Sequence, residues 1–339
     1  MLQNSTWKGH NGGKKLNMHR SRKTINISAD HNTSKVASAF CIYGYFSDIT
    51  PDDYFLASAC KDGKPMLRLG STGDWIGTLE GHKGVVWSIS LNKSATRAAT
   101  GSGDFSAKIW DTVSGDELTC LPHKHIVKSV ALSNDSVILA TGGNERIIRY
   151  YDMYKLGIEP YTITNAHNGP VKHVVWSNDP RLLYSTGEDR LVKLWDVRQK
   201  EAAQVTALSD SIKDIYLSNS GQYLVICSGS RVIVYSPRIN HKLVSMLALE
   251  YTAFSAACNP DDTQIVVGGD NHLVYRYELN STFEIESSRG HFGPVHCVRF
   301  SPDGKVFASG SEDGTVRLWQ TDPGKAYGLW KGKPTTTQI

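Results

Sequence analysis

Four histidines, His82, His123, His167 and His291, each open a stretch of chain that repeats one spacing of chemically distinct residues. Eighteen positions after each comes a hydroxyl: Thr100, Thr141, Ser185 or Ser309. Twenty-two positions after comes an acid: Asp104, Glu145, Asp189 or Asp313. Twenty-eight positions after comes an aromatic: Trp110, Tyr151, Trp195 or Trp319. Such coincident offsets mark an internal repeat, which overrides the two or three separate domains that 339 residues would otherwise suggest. Seven copies of about 42 residues nearly fill the chain.

Inside each copy the pattern has period two. Ala107-Lys108-Ile109-Trp110, Val192-Lys193-Leu194-Trp195 and Val316-Arg317-Leu318-Trp319 alternate apolar and basic residues before the aromatic, and turn residues such as Ser301-Pro302-Asp303-Gly304 separate the runs. This predicts short strands, not helices. Weaker copies share the register: one ends at Tyr235, another at Tyr277, and a first contains Ser58-Ala59-Cys60-Lys61-Asp62-Gly63. The best-preserved copy, Gly290-His291 through Ser309-Gly310-Ser311-Glu312-Asp313-Gly314 to Leu318-Trp319, resembles the WD40 repeat family. The resemblance implies an all-β chain, a seven-bladed β-propeller over residues 24–331, with a disordered basic leader at 1–23 and a flexible tail at 332–339.

His82, Thr100 and Asp104 have the composition of a nucleophilic triad, but a catalytic serine or threonine is needed once, not four times. The WD40 resemblance implies a structural role instead. The indole N–H donates to the hydroxyl, the hydroxyl to the imidazole, and the other ring nitrogen to the carboxylate, each within what its chemistry permits. Each bond nets roughly 1 kcal/mol, and an orphaned buried member costs about 1–3 kcal/mol.

Three copies depart from this pattern. In the sixth, Leu249, Val267, Asn271 and Tyr277 stand at the four places, and the fifth, near Ser209 to Tyr235, is shortened and similarly stripped. Both should rely on apolar packing and exchange amide hydrogens fastest. In the first copy Arg68 replaces the tryptophan, and His31 sits too far from the strand it should precede. Ring closure has two candidates for the last blade's outer strand: Thr24-Ile25-Asn26-Ile27-Ser28 or Tyr327-Gly328-Leu329-Trp330.

No catalytic signature, P-loop or metal spacing is present; His123-Lys124-His125 has no further ligands at suitable distance. The reading is therefore of a non-enzyme without cofactor or metal. No apolar run is long enough for a membrane helix, and no signal-peptide core opens the chain. Six scattered cysteines without a C-x-x-C pair read as free thiols. The net charge of +4 is uneven, since Lys8, Lys14, Lys15, Arg20, Arg22 and Lys23 carry the leader's excess and leave the remainder slightly acidic. Only the leader is suited by charge to RNA.

A propeller without chemistry recognises partners through its loops and turns. By analogy with WD40 folds, the residue five after each histidine begins the innermost strand at the central channel: Trp87, Lys128, Lys172 and His296, with Asp214 in the fifth blade. The residue after each turn acid is Phe105, Arg146, Arg190 or Gly314. An exposed Trp and Phe among Arg and Lys has hot-spot composition, suited to a segment mixing acidic and apolar side chains.

Longer phrases narrow the resemblance. Ser58 to Arg68 with its K-D-G-K-P-M-L-R, Thr72-Gly73-Asp74-Trp75-Ile76-Gly77, His123 to Lys128, Gly290 to Phe300, and Tyr327-Gly328-Leu329-Trp330-Lys331 resemble the family of serine-threonine kinase receptor-associated adaptors. That resemblance implies a noncatalytic subunit of the survival-of-motor-neuron complex. It would dock through gemin proteins during spliceosomal snRNP assembly, in cytoplasm and nucleus, and also damp TGF-β receptor signalling. The alternatives are another WD40 scaffold, such as the WD-repeat subunit of translation initiation factor three, or RNA binding by the leader.

Overall fold

The computed structural model describes residues 25–28, 40–45, 54–199, 201–237 and 242–322. They form seven four-stranded antiparallel sheets. Blade 1 runs from Phe40–Tyr45 at the centre through Tyr54–Ser58 and Met66–Leu69 to Trp75–Thr78 at the rim. Blades 2 to 6 follow in order, with inner strands Val86–Leu91, Val127–Leu132, Val171–Trp176, Ile212–Leu217 and Ala253–Cys258. Blade 7 holds Val295–Phe300, Val306–Ser311 and Thr315–Gln320, and its outer strand is Ile25–Ser28. The N-terminal strand thus closes the ring, with Ile25 opposite Leu318 and Ser28 opposite Thr315. That removes an open edge. The alternative closing segment, Tyr327 to Trp330, lies outside the described residues, as do His31, the leader and the tail.

Adjacent blades meet through close packing at the second strand. A Cβ placed on Gly142 would lie 2.7 Å from the Val171 side chain of blade 4, and one on Gly268 would lie 2.6 Å from Val295 of blade 7. The glycine after the blade's hydroxyl position is therefore what lets the next blade approach. Around the channel, serines of one inner strand accept amide protons of the next: Ser88 from Val130 at 3.2 Å, Ser129 from Val174 at 3.0 Å, and Ser255 from Val298 at 3.1 Å. These bonds lace the sheets around a channel of about 550 Å³.

One apolar cluster joins blades 5, 6 and 7, reaching from Tyr216 and Val225 through Val266 and Val267 to Phe307 and Trp319. Blades 1 and 2 share another around Ala57, Val86 and Trp110, and blades 3 and 4 a third around Tyr150, Val171 and Trp195.

Candidate functional site

Blades 2, 4 and 7 each close the polar chain. Trp110 Nε1 donates to Thr100 Oγ1 at 2.8 Å, His82 Nε2 meets the same oxygen at 2.6 Å, and His82 Nδ1 meets Asp104 at 2.7 Å. In blade 4 Trp195 reaches Ser185 at 2.8 Å, Ser185 reaches His167 at 2.7 Å, and His167 reaches Asp189 at 2.9 Å. In blade 7 Trp319 and His291 each reach Ser309 at 2.7 Å, and His291 reaches Asp313 at 3.0 Å. A hydroxyl that accepts from the indole has its proton for the imidazole, so the other ring nitrogen donates to the carboxylate.

The carboxylates do more than hold the ring. Asp104 also accepts the amides of Lys83 and Ser106, and Asp313 those of Phe292 and Thr315, which pins the entering loop to the turn. Burial would raise the Asp104 carboxyl, but bonds from Ser106, His82 and the Lys83 amide outweigh it and hold it at about 2. Burial lowers all three imidazoles against the pull of their aspartates, so they stay neutral. Both the hydroxyls and the imidazoles of these three chains are closed to solvent.

Blade 3 corrects the sequence reading. His123 Nε2 meets Thr141 at 2.9 Å, but its Nδ1 donates to the Leu121 carbonyl at 3.0 Å and not to Glu145. The extra methylene carries the Glu145 carboxylate past the ring, to the Lys124 amide at 2.5 Å and to Arg149. Tyr151 has no ring N–H to offer Thr141 and only packs against His123, their ring centres 6.2 Å apart. Burial first, and then the Arg149 charge, push His123 down to about 4.

In blade 6 Asn271 donates to the Tyr275 hydroxyl at 3.0 Å, and the Tyr251 and Tyr277 hydroxyls lie 3.5 Å apart. Tyr251 stacks on Tyr275 at 4.9 Å, so aromatic packing fills the space of the missing imidazole. In blade 1 Arg68 is buried and donates to the Gly73 carbonyl at 3.4 Å.

The channel mouth carries the candidate recognition residues. In blades 2 to 7 the inner strand breaks register at its second residue: Trp87, Lys128, Lys172, Lys213, Phe254 and His296. A bulge re-aims the side chain it carries. Asp214, assigned to this ring from sequence, is one residue off. With side chains alternating along a strand, that slip moves it to the opposite face. Lys213 takes the mouth position, while Asp214 is buried in the channel, where Arg299 of blade 7 donates to it at 2.9 Å and Ser255 of blade 6 at 2.5 Å. Arg299 also lies 5.3 Å from the Tyr216 ring, so this ion pair bridges blades 5 and 7 past blade 6.

Trp87 is half-buried, not exposed, and its indole N–H has no partner among the described residues. Lys128 lies 3.8 Å from Glu188, Lys213 sits 5.7 Å over Phe254, and Phe254 stacks flat on His296 at 5.1 Å. His296 in turn is 3.4 Å from Glu312. At the rim, Phe105, Arg146 and Arg190 are exposed and left-handed at φ 68°, 62° and 63°, where blade 7 has Gly314. A bulky residue there is costlier than glycine.

Sheets and repeats of this kind define a WD40 propeller, a scaffold for protein interactions. The WD domain, G-beta repeat family matches residues 73–111, 115–152, 158–196 and 282–320. Serine-threonine kinase receptor-associated protein of Gallus gallus is 49% identical over 286 residues, covering 84% of this chain and 81% of the relative. Its counterpart in Dictyostelium discoideum is 40% identical, covering 81% and 93%. Eukaryotic translation initiation factor 3 subunit I of Culex quinquefasciatus is more distant, at 28% over 295 residues. The chain belongs to the serine-threonine kinase receptor-associated family of WD40 proteins.

Proposed function

We propose that this chain is a noncatalytic adaptor of the survival-of-motor-neuron complex, working in spliceosomal snRNP assembly in cytoplasm and nucleus. It docks through gemin subunits, and it also damps TGF-β receptor signalling. The observation that carries the reading is 49% identity across 84% of the chain to proteins named for receptor association. The geometry supports an adaptor: histidines and acids are spent on bracing the blades, while Trp87, Lys128, Lys213 and His296 line the channel and Phe105, Arg146 and Arg190 are exposed. Their aromatic and basic side chains suit a partner segment with acidic and apolar residues.

Affinity capture from cytosol tests this, with recovery of gemin and Sm proteins expected. Recovery of translation-factor subunits alone would favour the second reading, which the 28% relative supports. Replacing Trp87 and Arg146 together by alanine should abolish capture; undiminished capture would remove this face from the account. RNA retention that falls steeply with salt and vanishes on deleting residues 1–24 would assign RNA contact to the leader.

A further inference from the structure

We propose that the channel mouth over blades 3 to 5 is a phosphoryl site, where Lys128, Lys172 and Lys213 hold a phosphomonoester dianion on a serine or threonine of a partner protein. The partner rests on the adaptor reading; the anion rests on geometry. Three consecutive blades place a lysine at the bulged second residue of the inner strand, and Lys128 and Lys213 line the channel with Lys172 on the blade between them. Lys172, in the middle, is half-buried and feels the charges of both neighbours. Like charges gathered at a partly buried mouth repel, and the arrangement persists at a cost that an anion would remove.

Charge matching selects the anion. Among the described residues Glu188 is the carboxylate that acts on Lys172, and it already lies 3.8 Å from Lys128. Three ammonium groups against one carboxylate leave two positive charges. A carboxylate side chain would neutralise one of them; a phosphomonoester, carrying roughly −1.5 to −2 at neutral pH, neutralises both. Asp214 does not compete, since Arg299 and Ser255 hold it inside the channel. At the end of the arc the Phe254 ring, stacked flat on His296, holds the Lys213 ammonium 5.7 Å from its centre.

The full chain is titrated with fluorescent degenerate nonapeptide pools whose central residue is phosphoserine, serine or glutamate, read by anisotropy. The phosphoserine pool should bind about tenfold tighter than the serine pool, with glutamate close to serine. Changing Lys128, Lys172 and Lys213 together to Gln should erase the preference at an unchanged unfolding midpoint, and changing all three to Arg should keep it. Equal binding of all pools, glutamate matching phosphoserine, a preference that survives the Gln variant, or tighter binding of a single-stranded RNA oligonucleotide at these lysines would each overturn the site. Undiminished gemin capture by the Gln variant, without phosphoserine preference, would overturn the site and leave the adaptor reading standing. A clear preference with no gemin capture by the unaltered chain would do the reverse.

Discussion

Blades 4 and 6 have the same four strands and the same register, yet opposite interiors. Blade 4 hangs on Trp195, Ser185, His167 and Asp189, joined by bonds of 2.7 to 2.9 Å. Blade 6 has Val267 where blade 4 has Ser185, and its tyrosines stack where blade 4 has an imidazole. The polar chain fastens a loop to a turn at defined points, whereas the apolar blade shares one cluster with both neighbours. Sheet geometry therefore does not require the tetrad. What the tetrad adds is fixation of each entering loop to the turn that carries the acid.

The largest effect should come from the ion pair that secures the blades lacking tetrads. Arg299→Ala leaves Asp214 buried without its cation, and should cost about 3–5 kcal/mol in urea unfolding. A loss near zero would mean that water replaces the guanidinium there. Next comes a reciprocal exchange between the two kinds of blade. Ser185→Val orphans the Trp195 N–H and the His167 ring, and Val267→Ser buries a hydroxyl without a built partner. Each should destabilise by about 1–3 kcal/mol. If Val267→Ser is neutral, blade 6 is less tightly packed than its contacts indicate.

Acid should separate the two classes further. The buried imidazoles titrate below the ordinary value of 6.5, so the unfolded chain takes up protons first as pH falls. Their contribution is complete above about 6.5 and declines below it, and the Asp104 contribution follows between about 4 and 2. At pH 7 the second-strand amides of blades 2, 4 and 7 should exchange more slowly than those of blades 5 and 6. Near pH 5, after correction for intrinsic rates, that gap should narrow. A gap that widens would refute neutral imidazoles in the fold. The smallest effect belongs to the rim: Arg146→Gly relieves a left-handed arginine and should stabilise by up to about 1 kcal/mol while weakening partner capture.

Much of the fold was legible because its constraints are local in spacing. The offsets from histidine to hydroxyl, acid and aromatic, with the alternation before each tryptophan, give the strands and their register. The ring was legible wherever a histidine anchored the count, as at Lys128 and Lys172. It failed at Asp214, where blade 5 has no histidine and a one-residue slip reverses the face. Blade 3 misled for a subtler reason: glutamate matches aspartate in charge but its carboxylate sits one methylene further out.

The amino-acid order alone determined a ring of repeated sheets and the identity of the groups that brace it, because those groups sit at fixed separations along the chain. Only the folded molecule decided which strand closes the ring, where the inner strands bulge, and that Arg299 meets Asp214. Closure and channel pairing depend on residues far apart in the chain, and each bulge depends on how an inner strand pairs with its neighbour. Spacing along the chain carries no record of that proximity.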